Sequence, residues 1–272
     1  MTRRGVRRIG ALLAKEFEDL RGNPALFVPA AVTGLISIVI PFVVAIAVPY
    51  FTGEPLADSS DFSIAIEMYR DQPAAGSLDP EGAIQAFIFE QFLILLVLTP
   101  VAGAMSVAAY AVVGEKQART LEPLLATPLT TFELLAAKVL GALVPGVVLV
   151  TICFALYIAG IAVFAHAGVY RVLLLARSLL TIFMLGPLAS LAALQLAVLV
   201  SSRVNDARSA QQIGALVILP ISALMVAQLT GNLQLTSTMI LSLSAVLTAV
   251  DAALMAIAIR LFDRESILTR WK

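Results

Sequence analysis

The sequence predicts an all-α integral membrane protein, in which six transmembrane helices follow an amphipathic elbow helix and both termini lie in the cytoplasm. Of its 272 residues, 60% are hydrophobic and 13% charged, whereas an ordinary soluble domain has roughly 45–50% and about 25%. The apolar residues form continuous runs of the length that a membrane-spanning helix needs, about 20 residues. Membrane β-barrels are instead built from alternating segments of about ten residues. The chain is therefore expected to fold in lipid, as helices.

The first predicted element is an amphipathic helix within residues 1–24. Ile9, Leu13 and Leu20 recur at helical spacing, with charged residues around the rest of the helix. Gly22-Asn23-Pro24 is expected to end it. Such a helix directly before a span is predicted to lie in the inner membrane interface, with its arginines toward anionic lipid headgroups. The alternative is a helix packed on a soluble partner.

Six apolar runs within residues 25–261 are the predicted spans. Five of them contain a proline, which membrane helices tolerate because neighbouring groups satisfy the freed carbonyl. Only His166-Ala167-Gly168 separates the third run from the fourth, so this boundary is the weakest of the set. The runs are 25–49, 84–113, 131–165, 169–200, 212–229 and 236–261.

The positions of lysine and arginine orient the chain, because these residues accumulate in the cytoplasmic loops of membrane proteins. With the N-terminus inside, 15 of the 18 basic residues fall on the cytoplasmic side, including those of the tail, 262–272. Only Arg70, Arg171 and Arg177 fall outside or near the outer face. The outer loop, 50–83, is acidic, and it is expected to be a solvated connector or, alternatively, a binding loop. We therefore place the protein in the inner (cytoplasmic) membrane with both termini in the cytoplasm.

Composition excludes several chemistries. There is one cysteine, Cys153, and one histidine, His166, so a Cys/His metal cluster cannot form. None of the four lysines follows a glycine, so the Gly-Lys pair of an ATP-binding P-loop is missing. The net charge is zero, without the basic excess of a nucleic-acid binder. We expect no catalytic site, cofactor, metal or nucleic-acid partner, and membrane lipids as the surroundings.

Polar residues inside spans are costly and functional by default. Asp251 lies near the middle of the sixth run, and it could line a transport path together with Gln195 and Gln228. The alternative for these residues is a polar contact that fixes helix packing. For Glu90 and Arg177, in the outer parts of the second and fourth runs, the structural interpretation is favoured, since either could reach the interface.

Residues 114–130 break the apolar pattern with a charged, proline-marked segment that the predicted orientation places in the cytoplasm. Thr120 is placed to cap a short helix that stops before Pro128. Thr130 and Glu133 have the spacing of a capping box, which begins the third span. A rigid helix with exposed leucines is suited to press on a soluble partner. A tight turn without a partner is the alternative.

The stretch EKQARTLEPLLATPLTTFELLAAK, residues 115–138, resembles the signature of ABC-2-type permeases, the membrane subunits of a large class of ATP-driven transporters. Each element of that signature is present, from the first glutamate through Arg-Thr-Leu-Glu and Thr-Pro-Leu-Thr to the final lysine. The amphipathic start is similar to the elbow helix of the family. The second cytoplasmic loop of the family is similar to SSRVNDARSAQQ (201–212), and the C-terminal segment after its last span is similar to LFDRESIL (261–268). The resemblance covers essentially the whole chain.

This resemblance implies two permease subunits side by side, this chain with a second copy or a paralogue. Each would carry a separate cytoplasmic ABC ATPase that binds ATP and Mg. ATP binding would move the spans between inward- and outward-facing states through the first cytoplasmic loop. Export is expected, and the alternative is an ATP-independent secondary transporter or a channel. The outer loop lacks the large domain of many relatives, and the cargo stays open. The implied ATPase-coupling residues are Glu115, Arg119, Thr120, Leu121, Glu122, Leu124, Leu125 and Pro128.

Overall fold

The computed structural model describes residues 3–58, 78–117, 130–201, 212, 215–230, 233 and 235–261. Within these residues the regular structure is entirely helical, as predicted. The helices are α1 (Arg3–Gly22), α2 (Pro24–Thr52), α3 (Pro80–Gln117), α4 (Thr131–Phe164), α5 (Val169–Leu173), α6 (Ala176–Val200), α7 (Ile218–Leu229) and α8 (Ser237–Leu261). Short 3-10 turns, Leu56–Asp58 and Ala215–Val217, follow α2 and precede α7.

Five of the described helices, α2, α3, α4, α6 and α8, are long and apolar enough to cross a membrane. Helix α7 has 12 residues, which is about 18 Å of helix against a hydrocarbon core of about 30 Å. The predicted fifth run, 212–229, therefore forms a shorter helix than expected in the part of the chain described. Its residues Ala215–Val217 adopt a 3-10 turn instead of the first α-helical turn.

The prediction that the fourth span starts at residue 169 is wrong. Gly168 has a φ of 97°, a left-handed conformation that glycine adopts without strain, and it turns the chain into the short helix α5. Val169 and Leu173 are fully buried, because α5 packs against α3 and α4. The long helix begins only at Ala176, after the extended residue Leu175. Hydropathy cannot detect this break, since the turn is as apolar as a span.

Helix α6 contains one wide π turn, Thr181–Leu185, directly before Gly186 and Pro187. Proline has no N–H, so the α-helical hydrogen bond to the carbonyl four residues earlier is lost. In a π turn the hydrogen bonds run over five residues instead of four. The wider turn therefore carries α6 past the proline without ending the helix.

Helices α3 and α6 form the centre of the bundle. They pack against each other, and α3 also packs against α2, α4 and α7. Ile84, Phe89 and Leu96 of α3 are fully buried, whereas Leu35 of α2 and Val246 of α8 are 63% and 60% exposed. A large apolar side chain directed outward is expected when the surrounding solvent is lipid instead of water. The exposed apolar faces of α2 and α8 are therefore lipid-facing surfaces of this bundle.

Glycines set the closest helix crossings. A Cβ atom on Gly34 of α2 would lie 2.9 Å from Cys153 Sγ and 3.3 Å from a Thr99 methyl group. On Gly146 of α4 it would lie 3.3 Å from the Pro100 carbonyl oxygen. Membrane helices associate through close backbone packing at small residues. These two positions therefore fix how α2 and α4 approach α3.

Candidate functional site

The start of α4 is held by the predicted capping box, which the structure confirms. The Thr130 hydroxyl accepts a hydrogen bond from the Glu133 backbone N–H at 3.1 Å, and Glu133 Oε2 accepts one from the Thr130 N–H at 2.9 Å. Two of the first amide groups of α4 are thus satisfied by side chains. The helix begins abruptly at Thr131, directly after residues 118–129.

Of the predicted coupling residues, the structure describes only the backbone of Glu115, which lies in the last turns of α3. The rest of this set lies outside the described residues: Arg119, Thr120, Leu121, Glu122, Leu124, Leu125 and Pro128. The described helices nevertheless fix both ends of the segment, because α3 leads into it and α4 follows it.

An ion pair inside the protein joins α1 to α4. Lys138 Nζ lies 3.3 Å from Glu16 Oε1, and the two side chains are only 4% and 12% exposed. The helices meet closely here, since a Cβ atom on Gly141 would lie 3.0 Å from the Glu16 Cβ atom. A second contact, at 3.8 Å, joins Arg8 to the capping residue Glu133. Helix α1 is therefore attached by its charged residues to the first three turns of α4.

The sequence predicts that the arginines of α1 face lipid headgroups, whereas Arg8 contacts Glu133 of α4. The structure also buries Ile9 and Leu20 of α1, so the helix has both apolar and ionic contacts with the bundle. The partner of Lys138 could not be identified from the sequence, because Glu16 is 122 residues away. The sequence does indicate that Lys138 needs a partner, because an unpaired lysine two turns inside an apolar helix is costly.

Asp251, predicted to line a path, lies on the buried side of α8 with 5% exposure. Neither carboxylate oxygen has a hydrogen-bond partner among the described residues. Ser244, two turns earlier on the same side of α8, is fully buried, and its hydroxyl also lacks a partner there. Because α8 packs along α6, these groups are directed into the bundle and away from the lipid-facing side.

Gln195 and Gln228 are also buried, and the side-chain oxygen of each lacks a partner within the described part of the chain. Gln195 is on α6, so the structure places it on a helix that packs against the helix of Asp251. Gln228 is near the end of α7, which packs against α3. The structure thus brings the helices of Asp251 and Gln195 together, whereas the helix of Gln228 packs against α3.

Glu90 and Arg177 form an ion pair with each other, between α3 and α6. Their side chains are 12% and 19% exposed, so the pair lies within the bundle. The sequence interpretation favoured a structural role for each residue but did not pair them. A carboxylate and a guanidinium that neutralise each other can remain in a membrane-spanning region at a much lower cost than either charge alone.

Hydrogen bonds join the end of α2, the start of α3 and the end of α4. Gln85 of α3 donates to the Ala45 carbonyl at 3.4 Å and accepts from the His166 N–H at 2.9 Å. The His166 ring lies 2.9 Å from Asp79, and Glu81 accepts two backbone N–H groups from the 3-10 turn after α2. Within the described residues, no group of three or more His, Cys, Asp or Glu side chains is arranged to hold a metal ion.

The match to a known family agrees with this arrangement of helices. The sequence model of a family described as "ABC-2 family transporter protein" matches residues 65–248, about two thirds of the chain. The match extends from the outer loop before α3 to the middle of α8, and it includes the 115–138 segment. No curated protein and no solved structure matches the chain.

Proposed function

The chain belongs to the ABC-2 family of transporter proteins, and we propose that it is the permease subunit of an ABC exporter. Family membership, together with five described helices long enough to span a bilayer, makes it a multi-pass membrane protein. In the proposal its helices form the substrate path, and the energy comes from ATP and Mg bound by a separate cytoplasmic ATPase subunit. The absence of a P-loop motif from this sequence supports the assignment of ATP binding to a separate subunit.

The proposed topology has six spans with both termini in the cytoplasm of a cell whose inner membrane holds the protein. The distribution of basic residues supports it, with 15 of 18 on the proposed cytoplasmic side. Helix α7 would be the fifth span, and the membrane can adapt to a short span by local thinning. The proposed assembly contains two permease subunits, either two copies of this chain or this chain with a paralogue.

The observation that carries the coupling proposal is the attachment at the start of α4. Residues 114–130 bear the family signature, and α4 begins directly after them with the capping box and the two contacts to α1. A displacement of this loop would move the start of α4, and α1 would move with it. The loop would thus transmit the closure of the ATPase to two helices at once.

The proposed transport path runs along the buried polar groups Asp251 and Gln195, with Gln228 as a further polar position. The side-chain oxygens of all three that lack a partner among the described residues support this assignment, because buried polar groups without partners are expensive and rarely kept without a use. Two states of the path, open inward or outward, would alternate as the ATPases close and open.

Co-purification tests the proposal. The full chain is expressed with the ABC ATPase encoded beside it, and the complex is isolated through a tag on the ATPase. We expect the wild-type permease to co-purify, and Leu124→Asp or Leu125→Asp to reduce its recovery at least about tenfold, since a charge placed in an apolar docking groove stays desolvated and unpaired. Leu268→Asp, a cytoplasmic leucine outside the loop, is the matched control and should have little effect.

Equal recovery of all three variants would show that residues 114–130 do not dock the ATPase. Transport by the purified chain without any ATPase would instead favour the alternative, an ATP-independent transporter or channel.

A further inference from the structure

Asp251 differs from the other buried charged residues of the described chain. Glu90 is paired with Arg177, Lys138 with Glu16, and Glu133 both caps α4 and contacts Arg8. Asp251 is as buried as these groups, with 5% exposure, but neither of its oxygens has a partner among the described residues. Among the described residues, the bundle therefore supplies a counter-charge for each of these groups but not for Asp251.

The position of Asp251 makes the missing partner expensive. It lies 10 residues before the end of α8 and 14 after its start, or about 15 Å and about 21 Å along the helix axis. A carboxylate near the middle of a membrane costs several kcal/mol unless it is paired or neutralised. Water or headgroups are out of reach of so short a side chain.

Asp251 belongs to a narrow buried stripe of α8, which we call the α8 stripe: Ile240, Ser244, Asp251 and Ala258. Residues on the other sides of the helix, such as Val250 and Ile257, are more than 40% exposed. Helix α8 packs along α6, from the turns at 176–185 to those at 186–201, and also touches α4. The carboxylate therefore faces its neighbouring helices and not the lipid.

On α8 and α6, the described buried side-chain atoms without a hydrogen-bond partner are all oxygens. They are both carboxylate oxygens of Asp251, the hydroxyls of Ser244 and Ser178, and the Gln195 side-chain carbonyl. A proton on Asp251 would neutralise the charge but would leave the Ser244 hydroxyl, two turns away, without a partner. A cation satisfies more of them, because it carries charge and is coordinated by, or donates to, oxygen atoms. Ser244 is two turns, about 10 Å, from Asp251, so the two would be successive positions on a route.

We propose that the cargo carries a positive charge, as a monovalent metal cation or an ammonium group, and that Asp251 receives this charge midway across the membrane. Ser244 and Gln195 supply further oxygen ligands on the route along the α8 stripe. The inference rests on the proposed function, since it names the substrate class of the same path. It depends on contacts between α8 and α6 and on no property of the ATPase loop.

Direct binding tests this inference without the ATPase. The full chain in phosphatidylcholine nanodiscs is titrated with radiolabelled Na⁺ and, separately, radiolabelled methylammonium, and bound label is counted by scintillation proximity. We expect saturable binding of one probe, and at least about tenfold weaker binding by Asp251→Asn. Asp251→Glu, which keeps the charge, should retain binding. Asp79→Asn, which removes a carboxylate at the outer end, is the matched control and should bind like wild type.

The two probes separate the possible cargoes, because Na⁺ binding indicates a metal cation and methylammonium binding an amine. Asp251→Asn should unfold at a temperature no lower than wild type, since it removes an uncompensated buried charge. No saturable binding, equal binding by Asp251→Asn, or a variant that no longer folds would each overturn the inference. Cation binding by a chain that never associates with an ATPase would keep this inference and reject the exporter proposal.

Discussion

The ion pair between Glu16 and Lys138 is predicted to hold α1 against α4. Lys138 is 4% exposed and its ammonium group lies 3.3 Å from the Glu16 carboxylate. In the variant Glu16→Gln the ammonium loses its counter-charge but stays buried, and breaking a buried pair in this way costs about 3–5 kcal/mol. Because Glu16 is 12% exposed, we expect the lower limit, about 3 kcal/mol.

A loss of about 3 kcal/mol raises the ratio of detached to attached α1 by about 100-fold, at 1.4 kcal/mol per factor of ten. Hydrogen–deuterium exchange of the α1 amides in nanodiscs measures this ratio, since local opening controls the exchange rate. We expect exchange of α1 to become about 100-fold faster in Glu16→Gln. The double variant Glu16→Lys with Lys138→Glu should recover most of the protection.

The exposed pair between Lys15 and Asp19 is the matched control, because it lies on the same helix at 3.8 Å with side chains 45% and 64% exposed. Such pairs contribute about 0–1 kcal/mol, so Asp19→Asn should change exchange by no more than about fivefold. The attachment of α1 is refuted if Glu16→Gln exchanges like wild type, or if the charge swap is no better protected than the single variant.

Three further predictions concern the bundle itself. Gly34→Ala should lower the unfolding temperature, because its methyl group would meet Cys153 Sγ at 2.9 Å. Adding Cys153→Ala should restore the unfolding temperature. If it does not, the close approach of Gly34 to Cys153 is contradicted. Arg177→Met should destabilise by about 3–5 kcal/mol by leaving Glu90 buried without its counter-charge; the double variant Arg177→Met with Glu90→Gln should be more stable than the single one in thermal melts. Thr130→Ala should cost about 1 kcal/mol and Thr130→Ser almost nothing, measured by exchange of the first α4 amides; equal exchange in both variants would exclude a capping role.

Much of the fold could be predicted from the sequence, because membrane helices are specified by local composition. The length of each apolar run gave α2, α3, α4 and α8 to within a few residues, since only a helix satisfies its backbone in lipid. The capping box at Thr130 was equally local, as its two partners are three residues apart. Gly22-Asn23-Pro24 likewise ends α1 at the predicted point.

The misplaced fourth span and the short α7 show where composition fails. Leu174 and Leu175 are as apolar as a span, but Gly168 and the extended backbone at Leu175 separate α5 from α6. Whether an apolar stretch continues a helix or packs back on the bundle depends on contacts with α3 and α4, which no local pattern records. Arg171 and Arg177 argue against a span that starts at residue 169, because two arginines near the start of one span are unusual.

The candidate site, like the fold, could be predicted from the sequence only in part. Asp251 was recognisable as a costly carboxylate in an apolar run, but only the structure reveals that it lacks a partner among the described residues. Glu16 and Lys138 are 122 residues apart, and Glu90 and Arg177 are 87 apart, so their pairing is a result of tertiary packing. Sequence predicts which side chains need partners, and the fold decides which of them have one.

The central claim is that residues 114–130 couple this bundle to an ATPase, and the ATP hydrolysis rate of the complex tests it most directly. The ABC ATPase is assayed in nanodiscs with the wild-type permease, with Leu124→Asp and with Leu268→Asp, at equal amounts of folded permease. The account predicts that wild type and Leu268→Asp change the hydrolysis rate of the isolated ATPase to the same extent and that Leu124→Asp leaves it unchanged. A rate that is unaffected by the wild-type permease, or affected equally by Leu124→Asp, would contradict it.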